Sequence, residues 1–173
     1  FAFNSVNVEG WALYMEAEMK PYEPLEGQLI ALQHRLMRAA RAYLDPGLQH
    51  GTITHDEAHR VLTEEVVLSE AMAQQELERY MFRAPGQATS YFYGYQRHLA
   101  LRGKVEMMLG ERFDARSYHD FILSQGLLPP TLLEQAESGR IVLPFEIILR
   151  LAAVLGRRDP VAFAMNLTRS YNP

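Results

Sequence analysis

Apolar and polar positions follow helical rather than strand periodicity along most of the chain, and the periodic stretches are separated by turn and cap residues. Val8 to Met19 reads as a first amphipathic helix, ended ahead of Pro21. Leu25 to Leu44 reads as a second, with Leu29, Leu32, Leu36 and Ala40 at helical spacing and a stop at Asp45-Pro46-Gly47. Thr54-x-x-Glu57 is a capping box that opens a third helix. Ser69 offers a cap for a fourth, which runs to about Arg83 before Pro85-Gly86 breaks the chain. A long helix follows from about Ala88 to Leu109, with Gly110 as its C-terminal stop. Asp114 caps Ala115 to Ser124, and Gly126 ends that helix. Pro129-Pro130 starts a short helix to about Glu137, and helices over Pro144–Leu155 and Pro160–Thr168 finish the chain. Ile141-Val142-Leu143 is too short to count as a strand. The expected class is an all-α multi-helix bundle without internal repeats.

Composition narrows this picture. The chain has 173 residues, 48% of them hydrophobic, enough to bury a core in one domain with an appendage. No apolar run approaches about 18 residues, so no membrane-spanning helix is expected. No basic segment followed by an apolar stretch opens the chain, so no signal peptide is read there. Cysteine is absent, which excludes disulfides, thiolate metal sites and cysteine nucleophiles. The compartment stays open between bacterial cytoplasm and periplasm. The net charge of -4 is unevenly spread. Residues 1–138 carry 12 basic and 19 acidic side chains, whereas residues 139–173 carry 5 basic and 2 acidic. That shift marks the best domain boundary: 1–136 as the main helical domain and 137–173 as an appendage.

Five constellations could carry chemistry. Glu9-Gly10-Trp11-Ala12 comes first. A helical Glu followed by a small residue and an aromatic is how Glu-ligand zinc peptidases present a third metal ligand; the first two come from an upstream His-Glu-x-x-His helix. The same Glu also suits a helix start, where it complements the dipole. Only eight residues precede Glu9, so the expectation is the C-terminal part of a metallopeptidase. Second, Pro85-Gly86 places Gln87 and Tyr91 four apart at the start of a helix. Tyr hydroxyls and Gln amides can hold an oxyanion, and Arg79-Tyr80 could orient the pair. A tyrosine packing seam is the alternative. Third, Arg38, Arg41 and Asp45 share one helix face. A buried Arg–Asp pair there could bind a substrate carboxylate or brace the bundle. Fourth, His55-Asp56-Glu57-Ala58-His59 has the His spacing of a zinc helix. It reads as a decoy, because the capping box accounts for its acids and Asp56 is shorter than the Glu that normally activates water. Fifth, His119 could donate to a substrate carbonyl or serve as a structural histidine.

The motifs occur in one order: Glu9-Gly-Trp-Ala12, Arg38-Ala-Ala-Arg41 with Asp45 and Gly47, Glu78-Arg-Tyr80, Pro85-Gly-Gln-Ala-Thr-Ser-Tyr91, Leu109-Gly110 and His119-Asp120. In that order the chain resembles, over about residues 1–136, the C-terminal part of the bacterial family of unknown function 885. Its members look like helical zinc-dependent peptidases. The resemblance implies zinc as cofactor of the complete site, with Glu9 as third ligand. It implies Tyr91 and Gln87 on the transition-state side, with His119, and Arg38 and Arg41 toward substrate. The substrate would be a peptide or small amide, and the general base would be the Glu of the upstream helix. The paired His and that base are absent here, so this chain alone should neither hold catalytic zinc nor hydrolyse peptides. Where many members have a His after Gly-Leu, this chain has Gln49.

Residues 137–173 depart from the family ending. Glu137-Ser-Gly-Arg140 and the apolar run from Ile147 resemble the latter half of a repressor-type helix-turn-helix, although a two-helix appendage is the plainer reading. The alternative function is a non-catalytic helical module that contacts DNA through residues 127–169.

Overall fold

The computed structural model describes residues 4–124, 126–128 and 132. Among them every regular element is helical: α1 (Ser5–Met19), α2 (Leu25–His50), α3 (His55–Arg60), α4 (Glu70–Glu78), α5 (Thr89–Leu109) and α6 (Ala115–Ser124). The protein is all-α. None of the described helices is long and apolar enough to cross a membrane. The appendage helices expected beyond Pro129, and the helix-turn-helix likeness, fall outside the described residues.

The capping signals act as read. Thr54 accepts from Glu57 N at 3.2 Å, while the Glu57 carboxylate accepts from Thr54 N at 2.8 Å. Ser69 caps α4 through Met72 N, and Asp114 caps α6 through Ser117 N at 2.7 Å. α2 differs from expectation: it does not stop at Asp45-Pro46-Gly47 but continues to His50 with Pro46 inside it. A proline removes one ladder hydrogen bond but does not end a helix whose neighbours compensate. Here the flanking residues are anchored, with the Asp45 side chain fully buried and the Gly47 backbone packed closely against Ile53. The stop comes at Gly51, at φ 70°, where Thr52 N donates to Gly47 O and Gly51 N to Leu48 O.

The chain forms two compact units, residues 5–96 and residues 1–4 with 97–173. The core of the first contains Met37, Ala40, Leu44, Leu62, Val66, Leu77 and Tyr80. The apolar stripe on α2 faces the other way from what spacing suggests. Ala40 is buried, but Leu29, Leu32 and Leu36 are 69%, 45% and 49% exposed. The buried face of α2 carries Arg41 and Asp45 instead, because both are satisfied by partners far along the chain. In the second unit, Tyr118, Phe121 and Ile122 are the buried face of α6, and Arg102 is joined to Glu106 at 2.7 Å.

Two π-helical turns, Val61–Glu65 and Arg79–Arg83, extend α3 and α4, each closed by a five-residue step: Val66 N to Val61 O and Ala84 N to Arg79 O. After the first, Val67 takes φ 59°, where a β-branched residue is strained. Its carbonyl accepts from Gln33 Nε2 at 2.8 Å, and its side chain is 67% exposed. Val67→Gly keeps that bond and removes the strain. It should stabilise the protein by about 1 kcal/mol, read as a higher urea midpoint; a lower midpoint would show that the valine side chain contributes more than its backbone costs.

Candidate functional site

Within the first unit, α1, α2, α4 and the start of α5 bring together a row of polar side chains. α1 approaches α5 through two glycines. A Cβ on Gly94 would lie 2.7 Å from Gly10 Cα, and one on Gly10 would lie 2.9 Å from Tyr95 N. That crossing places Glu9, the neighbour of Gly10, against the segment that opens α5.

Asp45 builds that segment. Its Oδ1 accepts from Gly86 N at 2.8 Å and its Oδ2 from Ala88 N at 3.0 Å. A buried carboxylate thus caps α5 from a distant helix, satisfying N–H groups that a helix start leaves open. Gly86 supplies the positive φ of the turn, at 80°. The Arg–Asp pair considered for α2 is therefore not formed: Asp45 takes backbone donors. Arg41 instead pairs with Glu76, Nε to Oε2 and Nη2 to Oε1, both at 2.6 Å. The Tyr80 hydroxyl donates to Glu76 Oε2 at 2.9 Å. Burial alone would raise the Glu76 carboxyl, but the Arg41 hydrogen bonds and charge outweigh it and hold it below the ordinary carboxylate range. Burial beside that carboxylate pushes the Tyr80 hydroxyl far up, so it stays a donor.

Around the turn, Gln87 Oε1 accepts from Arg79 Nη2 at 2.5 Å, while Gln87 Nε2 donates to Ser5 Oγ at 3.1 Å and to Glu9 Oε1 at 3.4 Å. Arg79 Nη2 also donates to the Tyr91 hydroxyl at 3.0 Å. The Tyr91 ring lies between two guanidinium groups, 5.0 Å from Arg41 and 5.3 Å from Arg79. Ser5 and Ser90 hydroxyls meet at 2.8 Å beside Gln87. Further along α1, Glu16 pairs with Arg38 at 2.9 Å. An open cleft of about 400 Å³ follows there, lined by Ala12, Met15, Glu16, Met19, Ile30 and His34 among others.

Residues 1–136 match the family described as Bacterial protein of unknown function (DUF885), the span over which the ordered motifs were read. The chain belongs to this family. Comparison with curated proteins and with solved structures returns no match.

Of the site residues read from the sequence, this DUF885 chain brings Glu9, Gln87 and Tyr91 into one hydrogen-bonded row with Arg79. Arg38 and Arg41 flank the row, each in an ion pair. His119 lies on α6 in the second unit, half-buried, its ring 5.7 Å from that of Tyr118. His55 is exposed, and His59 meets the carboxylate of Glu70 at 2.8 Å. Sequence reading gave Arg79 no more than an orienting part and did not single out Glu76. The signal available for both was the Glu78-Arg-Tyr80 motif and its place one turn beyond Glu76.

The side chains can be tested against zinc, which usually takes three protein ligands in a hydrolytic site. Among the described residues no group of three His, Asp, Glu or Cys side chains comes together. Glu9 suits one position: it is half-buried, its Oε1 is tethered by Gln87, and its Oε2 takes no bond from the described residues.

Proposed function

We propose that this chain supplies part of the active site of a zinc-dependent peptidase acting on peptides or small amides. Glu9 serves as one metal ligand, and the remaining ligands come from residues other than those described. The observation that carries this reading is the tethered Glu9 carboxylate, one hydrogen bond from Gln87 and two from the Arg79–Tyr91 pair. Ligand carboxylates in metal sites are held by such outer partners, which fix the coordinating oxygen.

Both Gln87 amide hydrogens are used within the chain, on Ser5 and Glu9, so Gln87 acts as the group that orients Glu9. Tyr91 differs. Its oxygen accepts from Arg79, so its hydroxyl hydrogen is directed elsewhere and is available to a developing oxyanion. Two flanking guanidinium groups keep that environment electropositive without a rearrangement during reaction. The cleft beside Glu16 offers an apolar floor for a substrate side chain. Zinc, when bound, supplies Lewis acidity toward the scissile carbonyl.

The test uses the protein carrying this segment together with a His-Glu-x-x-His helix, purified without chelator. Elemental mass spectrometry should give about one zinc per chain. Glu9→Gln should lose the metal and the ability to release amines from a peptide mixture. A Glu9→Gln protein that stays zinc-replete and active would sink the ligand assignment.

A further inference from the structure

Arg41 and Arg79 flank the Tyr91 ring, and Arg38 precedes Arg41 on α2; the three hold different partners. Arg41 commits two nitrogens to the Glu76 carboxylate, and Arg38 gives Nη2 to the Glu16 carboxylate while its buried Nε and Nη1 have no partner among the described residues. Arg79 forms no close ion pair among the described residues, although its charge helps to hold the Glu76 carboxyl down. Its Nη2 is shared between Gln87 and Tyr91, while Nε and Nη1 take no bond from any described residue. The side chain is half-buried rather than enclosed. A guanidinium held at one nitrogen, with two further nitrogens open, is pre-organised to take an incoming carboxylate.

Position sets the chemistry of that carboxylate. Arg79 is bonded directly to the Tyr91 oxygen at 3.0 Å, so an anion on Arg79 lies beside the group that would meet the reacting carbonyl. In a peptide, a carboxylate stands that close to a scissile carbonyl when the two are separated only by the nitrogen and Cα of the last residue. Resting on the hydrolytic reading above, we propose that Arg79 is a specificity-determining residue that binds the free C-terminal carboxylate of a peptide, so that the bond cleaved is the last one. The cleft beside Glu16, where Met15, Met19 and Ile30 supply apolar surface among charged neighbours, then receives an upstream side chain.

The test is a binding measurement, which needs neither metal nor turnover. One tripeptide is titrated into the protein as the free acid and as the C-terminal amide, with NMR chemical-shift changes as the readout. The acid should bind about tenfold or more tightly than the amide. Arg79→Gln should bring the acid down to the amide, and Arg79→Lys should restore part of the preference. Three results overturn the proposal: equal binding of acid and amide, an acid preference that survives Arg79→Gln, or no binding of either up to about 10 mM. A purely structural Arg79 would weaken both peptides alike. Failure here leaves the Glu9 assignment standing, whereas a protein that carries the His-Glu-x-x-His helix, prefers the acid and yet binds no zinc would overturn the metal reading alone.

Discussion

Glu76→Ala should cost the fold about 3–5 kcal/mol at neutral pH, because it leaves the Arg41 guanidinium charged, buried and unpaired. The Arg41 and Glu76 side chains are 7% and 12% exposed, so little water is available to replace the lost carboxylate. The variant also removes the acceptor of the buried Tyr80 hydroxyl. Glu76→Gln should be nearly as costly, since an amide keeps the shape but not the charge. The effect depends on pH in one direction. Glu76 titrates below the ordinary carboxylate range in the folded protein, because Arg41 outweighs the cost of burial. Its contribution is therefore complete above the unfolded-state value of about 4.3 and is lost as pH falls through the lower folded value. Urea unfolding of wild type and Glu76→Ala should show a wide gap at pH 7 that narrows below about pH 4. A gap under about 1 kcal/mol at pH 7, or one that is the same at both pH values, would mean the pair is not the brace described.

The same pair shows why part of this fold was legible in the sequence and part was not. Helix starts and stops that depend on nearby residues could be read: the Thr54–Glu57 box, Ser69, Asp114, and the glycines at 110 and 126 all act within a few residues of their own position. What depended on distant partners could not. Asp45-Pro46-Gly47 has the composition of a turn, yet its carboxylate is used on N–H groups 41 and 43 residues later, and the helix runs through. Leu29, Leu32 and Leu36 show the helix period plainly, but period alone does not say which face is covered, and the covered face includes two charged residues. The site divides similarly. Glu9, Gln87 and Tyr91 stand out by residue type and local spacing. Arg79 gains its importance only when the turn after α4 meets the start of α5 and its two acceptors share one nitrogen.

The approach of α1 to α5 at Gly10 and Gly94 gives the second large prediction. Gly94→Ala should destabilise the protein by about 3 kcal/mol, at the upper end for an overpacked site, and should loosen the Glu9–Gln87 contact. The new methyl group would be 2.7 Å from Gly10 Cα and would overlap the Val6 carbonyl oxygen, so the obstacle is backbone on the facing helix rather than a side chain that can swing aside. Gly10→Ala meets the same obstacle from the other side, against the backbone of Gly94 and Tyr95. Gly103→Ala, later in α5, is the matched control. A Cβ there has nothing within 4 Å among the described residues, so alanine should raise stability by up to about 1 kcal/mol through helix propensity. Thermal melts of the three variants separate the causes: Gly10→Ala and Gly94→Ala should lower the midpoint while Gly103→Ala raises it. If Gly94→Ala instead melted with the control, the helices would not cross at these glycines. Glu9 would then have no fixed place beside Gln87, and the candidate site would lose the geometry on which its chemistry depends.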